Sequence, residues 1–310
     1  MKYGFGIDVG GTFIKLGLFR EDGTLLEKWS IPTVVTDEPA SILQDICDTV
    51  LQKLHEKKIS TGQVLGLGLG VPGPVAPDGT VNQCVNLRWG VLPVGQLLTD
   101  MTGFTVRVGN DANVAALGEQ WKGGGQGYES IVMITLGTGV GGGVVLNGKI
   151  VGGIHGAAGE IGHMPAREDE PEQCGCGKYG CLEQYVSANG VSRLARRYLQ
   201  AYPEVKTVLQ PDADSLAVFT AAKAGDMAAA AITGEMFALL GKALAQVACV
   251  LDPQAFVIGG GVSNAGTYLI DGIRKAYQRC AFHASRDTEL LLAQLGNDAG
   301  IYGAAKMILG

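Results

Sequence analysis

The sequence has little charge, and positive charge is the scarcer sign. Only 17% of its 310 residues are charged, and 24 Lys and Arg stand against 30 Asp and Glu, which leaves a formal net charge of −6 at pH 7. Because binding to nucleic-acid phosphates needs a basic face, we expect no nucleic-acid partner. The sequence also lacks an uninterrupted run of the ~18 apolar residues that indicate a membrane span, so we expect no membrane span.

Features of an exported protein are missing as well. Lys2 is the only early positive charge, and Asp8 interrupts the only early apolar stretch, so no signal peptide is expected. The chain starts directly in a strand pattern, which leaves no room for a DNA-binding module ahead of it. The seven cysteines are an odd number, and we interpret them as thiols or metal ligands rather than disulfides. These features together predict a cytoplasmic protein.

Glycine, in contrast, is abundant. There are 48 glycines, and 11 of them fall in the 26 residues from Gly137 to Gly162. Such a cluster indicates that the backbone comes close to another group there. Apolar residues make up 46% of the chain, which suffices for a large core, and the length predicts two lobes.

The order of predicted elements repeats once. A strand, a Gly/Thr turn and a second strand open the chain at Tyr3–Asp8 and Phe13–Phe19. The same order begins again at Ile131–Leu136 and Gly141–Leu146. This partial internal duplication predicts an α/β protein with two lobes of similar plan.

Two glycine turns follow the first strands of these halves. Asp8-Val9-Gly10-Gly11-Thr12 and Gly137-Thr138-Gly139 both free backbone N–H groups to approach phosphate oxygens, and Asp8 can hold Mg²⁺. One such turn is as easily a plain hairpin, but two at equivalent places favour a polyphosphate site. A side chain at Gly139 is then expected to intrude on the phosphates. A third triplet, Gly259-Gly260-Gly261, fits a nucleoside base or a flexible connection equally well.

Asn110-Asp111 lies between a predicted strand and a predicted helix. An aspartate at a helix N-terminus is most often a cap. The carboxyl ends of strands are also where α/β proteins bind ligands, and a carboxylate there can accept the proton of an attacking hydroxyl. The sequence alone leaves both interpretations open.

His163, Cys174, Cys176 and Cys181 form the most specific pattern in the chain. Three cysteines and one histidine suit tetrahedral zinc, and the glycines between the cysteines let the loop wrap around an ion. The other four cysteines lie singly, as core or loop cysteines do. The pattern therefore predicts a structural zinc site, with Glu183 two residues beyond its last cysteine.

Taken in order, these motifs resemble those of the ROK family (repressor, open reading frame, kinase), and the resemblance spans the chain. Pro72–Val75, Val85–Trp89 and Asn110–Glu119 are most similar to the glucose-phosphorylating bacterial members. The resemblance implies a two-lobed, actin-like ATPase fold of the ribonuclease H-like type, with duplicated β-meander cores and a cleft between the lobes. It also implies a homodimer that transfers phosphate from ATP to the 6-hydroxyl of glucose. There are two alternatives. One is another ROK kinase, acting on N-acetylmannosamine, N-acetylglucosamine, fructose or allose, and the other is a non-catalytic sugar sensor.

By position, the resemblance implies a role for each motif residue. Asp111 is expected to be the catalytic base, and the expected sugar contacts are Gly73, Asn110, Asp111, Glu160, His163 and Glu183. The expected contacts to ATP and Mg²⁺ are Asp8, Gly10, Gly11, Thr12, Lys15, Gly137, Thr138, Gly139, Gly260 and Gly261. Zn²⁺ is expected on His163, Cys174, Cys176 and Cys181. We place residues 1–118 in an N-terminal lobe, to which a helix at about 297–310 can return, and residues 119–296 in a C-terminal lobe.

Overall fold

The computed structural model describes residues 1–36 and 38–310. The chain forms two compact units. Unit 1 contains Met1–Glu129, Gly143–Gly159 and Leu295–Gly310, and unit 2 contains Ser130–Gly142 and Glu160–Gln294. A division after residue 118 falls inside a helix that runs from Asp111 to Lys122, and in the structure the chain leaves unit 1 only after Glu129.

Unit 1 is built on a five-stranded sheet of order β3-β2-β1-β4-β5. The strands β1 to β3 form the predicted antiparallel meander, while β4 is parallel to β1 and β5 is parallel to β4. The register pairs Asp8 with Gly70 and Val71 with Asn110, so Asp8 and Asn110 lie at the same edge of the sheet. The strands are β1 (Tyr3–Val9), β2 (Phe13–Arg20), β3 (Leu25–Pro32), β4 (Val64–Val71) and β5 (Val106–Asn110).

Four helices complete unit 1: α1 (Ser41–Lys57), α2 (Val94–Thr102), α3 (Asp111–Lys122) and, at the end of the chain, α9 (Ala299–Leu309). The apolar side chains of α1 and of the first strands share one buried core.

Helix α9 packs against the sheet through glycines. A Cβ atom at Gly6 would lie 2.0 Å from the carbonyl oxygen of Ile301, and one at Gly68 would lie 1.8 Å from that of Ala304. Because real Cβ atoms cannot come so close, only glycine lets the helix backbone contact strands β1 and β4.

The second sheet has the order β10-β9-β6-β7-β8. Strands β6, β9 and β10 are parallel, and Thr135 pairs with Gly259, so the segments after β6 and β9 leave the sheet at the same edge. The dipeptide Asn147-Gly148, which predicts a tight hairpin turn, joins β7 to β8, with positive φ at both residues. The strands are β6 (Ile131–Leu136), β7 (Val140–Leu146), β8 (Lys149–Ile150), β9 (Ala255–Gly259) and β10 (Glu289–Leu292).

The helices of unit 2 are α4 (Glu183–Val186), α5 (Ala188–Ala201), α6 (Ser215–Lys223), α7 (Met227–Leu251) and α8 (Thr267–Cys280). By length and composition, α7 is the one helix in the described part of the chain that is long and apolar enough to cross a membrane. Half of its apolar window is buried, and it packs against α5, α6 and α8, as a core helix does.

The helix that the sequence predicts over Val186–Tyr202 is present as α5, Ala188–Ala201, and the separate turn α4 precedes it. Ser187 is extended, with φ −72° and ψ 169°, and its hydroxyl accepts a hydrogen bond from the N–H of Gly190. Ser187 therefore caps α5, and it leaves α4 as a separate single turn.

Candidate active site and metal centre

The first glycine turn joins β1 to β2. Its frame is made by Gly10, whose N–H donates to the carbonyl of Phe13 at 3.0 Å and whose carbonyl accepts from the hydroxyl of Thr33 at 2.7 Å. A Cβ atom at Gly11 would meet nothing within 4 Å, and Gly11 and Thr12 are both exposed. The turn is therefore fixed at its base and open at its tip, as a phosphate-binding turn needs to be.

Asp8 lies behind this turn, against the N-terminal end of α9. A Cβ atom at Gly300 would be 2.6 Å from the Asp8 carboxyl carbon, so this glycine makes room for the carboxylate. Burial raises the pKa of Asp8, and the Lys15 ammonium, 3.7 Å away, offsets that only in part. A further cation beside Asp8 would stabilise its ionised form, which fits Mg²⁺, an ion that proteins hold with one or two carboxylates.

Asn110, not Asp111, is the N-cap of α3. The Asn110 side-chain oxygen accepts from the N–H groups of Ala112 and Asn113 at 3.1 and 3.2 Å, and its amide donates to the Gly73 carbonyl at 3.1 Å. Asp111 is the first helical residue, and its Oδ1 accepts from the Asn110 amide at 3.0 Å. The capping role that the sequence left open thus belongs to Asn110, and the Asp111 carboxylate is held in place beside it.

A cavity of about 370 Å³ lies next to Asn110 in unit 1. Its wall includes Asn113 and the glycines Gly152, Gly153 and Gly156. Buried Asn113 also accepts a hydrogen bond from the N–H of Val144 at 3.2 Å. This volume is within the range of small-molecule pockets.

The second glycine turn, in unit 2, packs against a carboxylate. The Gly137 N–H donates to the Gly139 carbonyl at 3.0 Å, and Thr138 is exposed. A Cβ atom at Gly139 would be 2.3 Å from Oε2 of Glu183, the oxygen that accepts from the Val140 N–H at 2.8 Å. A side chain at Gly139 therefore meets Glu183, whereas the sequence predicts that it meets the phosphates.

In the third glycine turn, Gly260 is packed against other protein atoms and Gly261 is open. Gly260 has φ +83°, and a Cβ atom there would lie 2.5 Å from the Leu136 carbonyl, so this glycine is needed for packing. A Cβ atom at Gly261 would meet nothing within 4 Å, which leaves a bare backbone surface there.

The predicted metal ligands converge. One ligand atom from each of His163, Cys174, Cys176 and Cys181 lies within 4.8 Å of all the others. The Sγ atoms of Cys176 and Cys181 are 3.6 Å apart, and Sγ of Cys174 is 3.8 Å from Nδ1 of His163. Tetrahedral zinc with bonds of about 2.3 Å to sulfur implies spacings of about 3.8 Å. Burial raises the pKa of the Cys181 thiol to about 12, so its thiolate needs a cation nearby, and the four side chains fit zinc.

Polar side chains extend from this cluster. Nε2 of His163 points away from Cys174 and lies 3.8 Å from a carboxylate oxygen of exposed Glu160. Oε1 of Glu183 is 3.9 Å from Sγ of Cys174. The structure thus brings Glu160, His163 and Glu183 to the edge of the metal cluster, each with a hydrogen-bonding atom.

Sequence reasoning missed three residues that shape these sites. Asn113 lies within the motif Asn110–Glu119, and Gly300 ends the segment Gly296–Gly300, which also resembles the ROK family, so the signal was present without a stated role. Glu170, a buried carboxylate close to α4, lies in an acidic run that looks solvated, and no local signal marks it.

Comparison with known proteins extends these observations. The sequence matches the ROK family over residues 4–310. It is 40% identical to a glucokinase of Halalkalibacterium halodurans, over 98% of this chain and 94% of that one, and 33% identical to an N-acetyl-D-glucosamine kinase of Pasteurella multocida, over 100% and 99%. The structure of a ROK family glucokinase from Streptomyces griseus, in complex with glucose and AMPPNP, is 34% identical over 99% of both chains, with a TM-score of 0.73. This protein therefore belongs to the ROK family and has its two-lobed, actin-like ATPase fold.

Proposed function

We propose that this protein is an ATP-dependent glucokinase that phosphorylates the 6-hydroxyl of glucose, with Asp111 as the general base. The observation that carries the proposal is the division of work at the start of α3. Asn110 is the N-cap residue and binds the Gly73 carbonyl, and the neighbouring Asp111 carboxylate is oriented by the Asn110 amide and by the N–H of Ala112 at 2.8 Å. The identity of 40% to a glucokinase supports the choice of glucose.

Asp111 accepts the proton of the 6-hydroxyl as that oxygen attacks the terminal phosphorus of ATP. Phosphoryl transfer needs positioning and charge stabilisation more than covalent chemistry, so one oriented carboxylate suffices as base. The Asn110 side chain supports this geometry through its hydrogen bond to Asp111.

The sugar hydroxyls bind to Asn110, Glu160, His163 and Glu183, and Gly73 lies against the ring. Carboxylates accept hydrogen bonds from hydroxyls, so this set suits a neutral polyol and disfavours an anionic sugar. Nε2 of His163 serves the sugar because Nδ1 faces the thiol cluster.

The phosphates of ATP bind to the open tip of the first turn at Gly10, Gly11 and Thr12 and to the second turn at Gly137, Thr138 and Gly139. The backbone of Gly260 and the bare surface at Gly261 support the nucleoside. Asp8, with Lys15 beside it, holds Mg²⁺, which supplies positive charge to the phosphates.

Zinc on His163, Cys174, Cys176 and Cys181 has a structural role. Four protein ligands leave no open coordination position, so the metal fixes the loop that carries the sugar-binding carboxylates. We also propose that the protein is cytoplasmic and that it forms a homodimer. Light scattering of the purified protein tests the dimer.

A second candidate is phosphorylation of N-acetylglucosamine, which the relative from Pasteurella multocida favours. A coupled ADP-release assay with glucose, N-acetylglucosamine, N-acetylmannosamine, fructose and allose decides between them. We expect the highest kcat/KM with glucose and a near-complete loss in Asp111→Asn. A higher kcat/KM with an N-acetyl sugar would make that sugar the preferred substrate in place of glucose. No ADP release with any sugar would overturn the kinase assignment.

A further inference from the structure

A buried ion pair lies beside α4, outside the groups that the proposed mechanism uses. The side chain of Glu170 has no exposed surface, and its carboxylate accepts two hydrogen bonds from the guanidinium of Arg197, at 2.6 and 2.8 Å. The hydroxyl of Tyr185 and the N–H of Glu172 also donate to it. Every acceptor position of the buried charge is thus directed at a donor, which is the condition under which a buried ion pair is stable.

Two of the residues that donate to Glu170 connect it to α4. Tyr185 belongs to this single-turn helix, and Glu172 is bound by Gln184, the residue before Tyr185. The Gln184 amide donates to the Glu172 carbonyl at 2.9 Å and accepts from the Cys181 N–H at 3.0 Å. Because one helical turn is not stable by itself, these side-chain bonds determine how α4 is oriented.

Glu183 is the first residue of α4, so it moves with the helix. Its carboxylate reaches the second glycine turn through Val140, and its carbonyl accepts from the Ser187 hydroxyl at 2.7 Å. The chain around Glu183 is therefore held at Val140 and at Ser187, through Gln184 at Glu172, and through Tyr185 at Glu170. The thiol cluster constrains the segment before Glu183, and the ion pair constrains the segment after it.

We propose that Glu170, paired with Arg197, is a positioning residue for sugar binding: it holds α4 so that the Glu183 carboxylate faces the sugar. This rests on the proposed sugar-kinase function. The role is separate from that of zinc, because neither residue of the pair is a ligand in the thiol cluster.

The test is Glu170→Gln, measured with the sugar that the wild-type enzyme prefers, well below the melting temperature. The amide keeps the shape but removes the buried charge that pairs with Arg197, and leaves Arg197 with only the partly exposed carboxylate of Glu172. We expect the KM for the sugar to rise about 10-fold, as with other residues that orient a ligand-binding group, while kcat and the KM for ATP change less than about 2-fold. Zinc content must remain that of the wild type.

Two further variants separate positioning from general stability. Glu289→Gln, which removes a remote partner of Arg274 in unit 2, is the matched control and should leave the KM for the sugar unchanged. Glu170→Gln combined with Arg197→Gln removes both charges, and we expect it to bind sugar better than Glu170→Gln alone. If Glu170→Gln does not fold, Tyr185→Phe removes one hydrogen bond to Glu170 and should raise the KM for the sugar about 2-fold.

Zinc-loaded Glu170→Gln (or Tyr185→Phe, if that variant replaces it) with the wild-type KM for the sugar would overturn the proposal. A proportional loss in kcat and in both KM values would overturn it too, since that pattern indicates a structural role only. Failure of the proposed function looks different, because the wild-type enzyme would then release no ADP with any sugar.

Discussion

The two glycine turns are alike in sequence and differ in what lies against them. At Gly11 in unit 1, a Cβ atom would meet nothing within 4 Å, whereas at Gly139 in unit 2 it would lie 2.3 Å from the Glu183 carboxylate. At Gly11, the first turn has no neighbouring protein atoms and leaves space for a ligand. At Gly139, the absent side chain leaves space for Glu183 of the same protein.

This difference extends to the rest of each unit. In unit 1, the first turn and the Asn110-Asp111 pair are held by separate hydrogen bonds, to Thr33 and to the Gly73 carbonyl. In unit 2, Glu183 contacts both the second turn and the thiol cluster. We therefore expect changes in unit 1 to affect one step or one substrate, and a change within the second turn of unit 2 to affect sugar and nucleotide together, because that turn is in contact with Glu183.

The largest expected effect is that of Asp111→Ala. Loss of a general base lowers kcat by roughly 100- to 10,000-fold, and the fold is retained because Asn110 is the helix cap. Turnover and thermal melting of the purified variant check this, with Asp100→Ala, which removes an exposed carboxylate of α2, as control. Wild-type turnover in Asp111→Ala would show that Asp111 is not the general base. The expectation that changes in unit 1 affect a single step would then be contradicted as well.

Next in size is the loss of zinc. Cys176→Ser should lose the metal and raise the KM for the sugar on the order of 10- to 100-fold, because the loop that carries Glu183 must then order on binding. Metal analysis and sugar titration measure this, and Cys249→Ser, which replaces an exposed thiol of α7, is the matched control. A metal-free wild-type enzyme with full activity contradicts the prediction.

The comparison of the two turns is tested directly by Gly11→Val and Gly139→Ala. Gly11→Val should raise the KM for ATP on the order of 10-fold and leave the KM for the sugar unchanged, because the new side chain meets only the ligand. Gly62→Val, at another glycine where a Cβ atom would meet nothing, is the control. Gly139→Ala should raise both KM values by displacing Glu183. An effect on ATP alone would show that the two turns do the same work.

The smallest effect concerns stability in acid. Hydrogen bonds from Arg197 lower the pKa of Glu170 to about 2, and those from Lys53 and Lys57 lower the pKa of Glu27 in unit 1 to about 2 as well. A lowered pKa contributes stability that is fully present above pH 4.5 and is lost as the pH falls towards about 2. Around Glu170, the charged and titratable groups are Arg193, Arg197, Glu172 and Tyr185.

Urea unfolding measures how much the free energy of unfolding falls between pH 5 and pH 2. Glu170→Gln should reduce this fall more than Glu27→Gln does, at moderate and at high salt. Glu27 lies partly exposed, so solvent and salt screen its ion pairs, whereas Glu170 is buried. Equal slopes for the two variants would contradict the distinction.

Much of the fold follows from local patterns in the sequence. The sequence predicts strands at Val64–Val71 and Ile131–Leu136 and a long helix at Met227–Leu251. The structure has each element at these bounds, because each is a continuous or periodic apolar stretch between turn residues. Helix α8 was not predicted, although Leu269, Ile270, Ile273 and Tyr277 recur at helical spacing, so its signal was available. Strand β10 has four residues, which is too short for a periodic pattern.

What the sequence does not reveal depends on distant partners. The metal ligands and Asn110-Asp111 were recognisable because their spacing is local. Glu170 follows two other acidic residues and looks solvated, and it is buried only because Arg197, 27 positions later, meets it. The contact of Gly139 with Glu183 likewise joins residues that are 43 or more positions apart, and no local pattern encodes it.

The seat of α9 in unit 1 has a consequence for synthesis of the protein. At Gly6 of β1 and Gly68 of β4, the bare glycine backbone is covered by α9, and Gly300 of this helix lies against Asp8. A ribosome makes β1 long before it makes α9, so this part of the sheet stays uncovered until α9 has been made. A product truncated before α9 would therefore expose that face to chaperones and proteases, and it would also lack the wall behind Asp8. The covering of this face and the completion of the proposed magnesium site thus depend on the same helix.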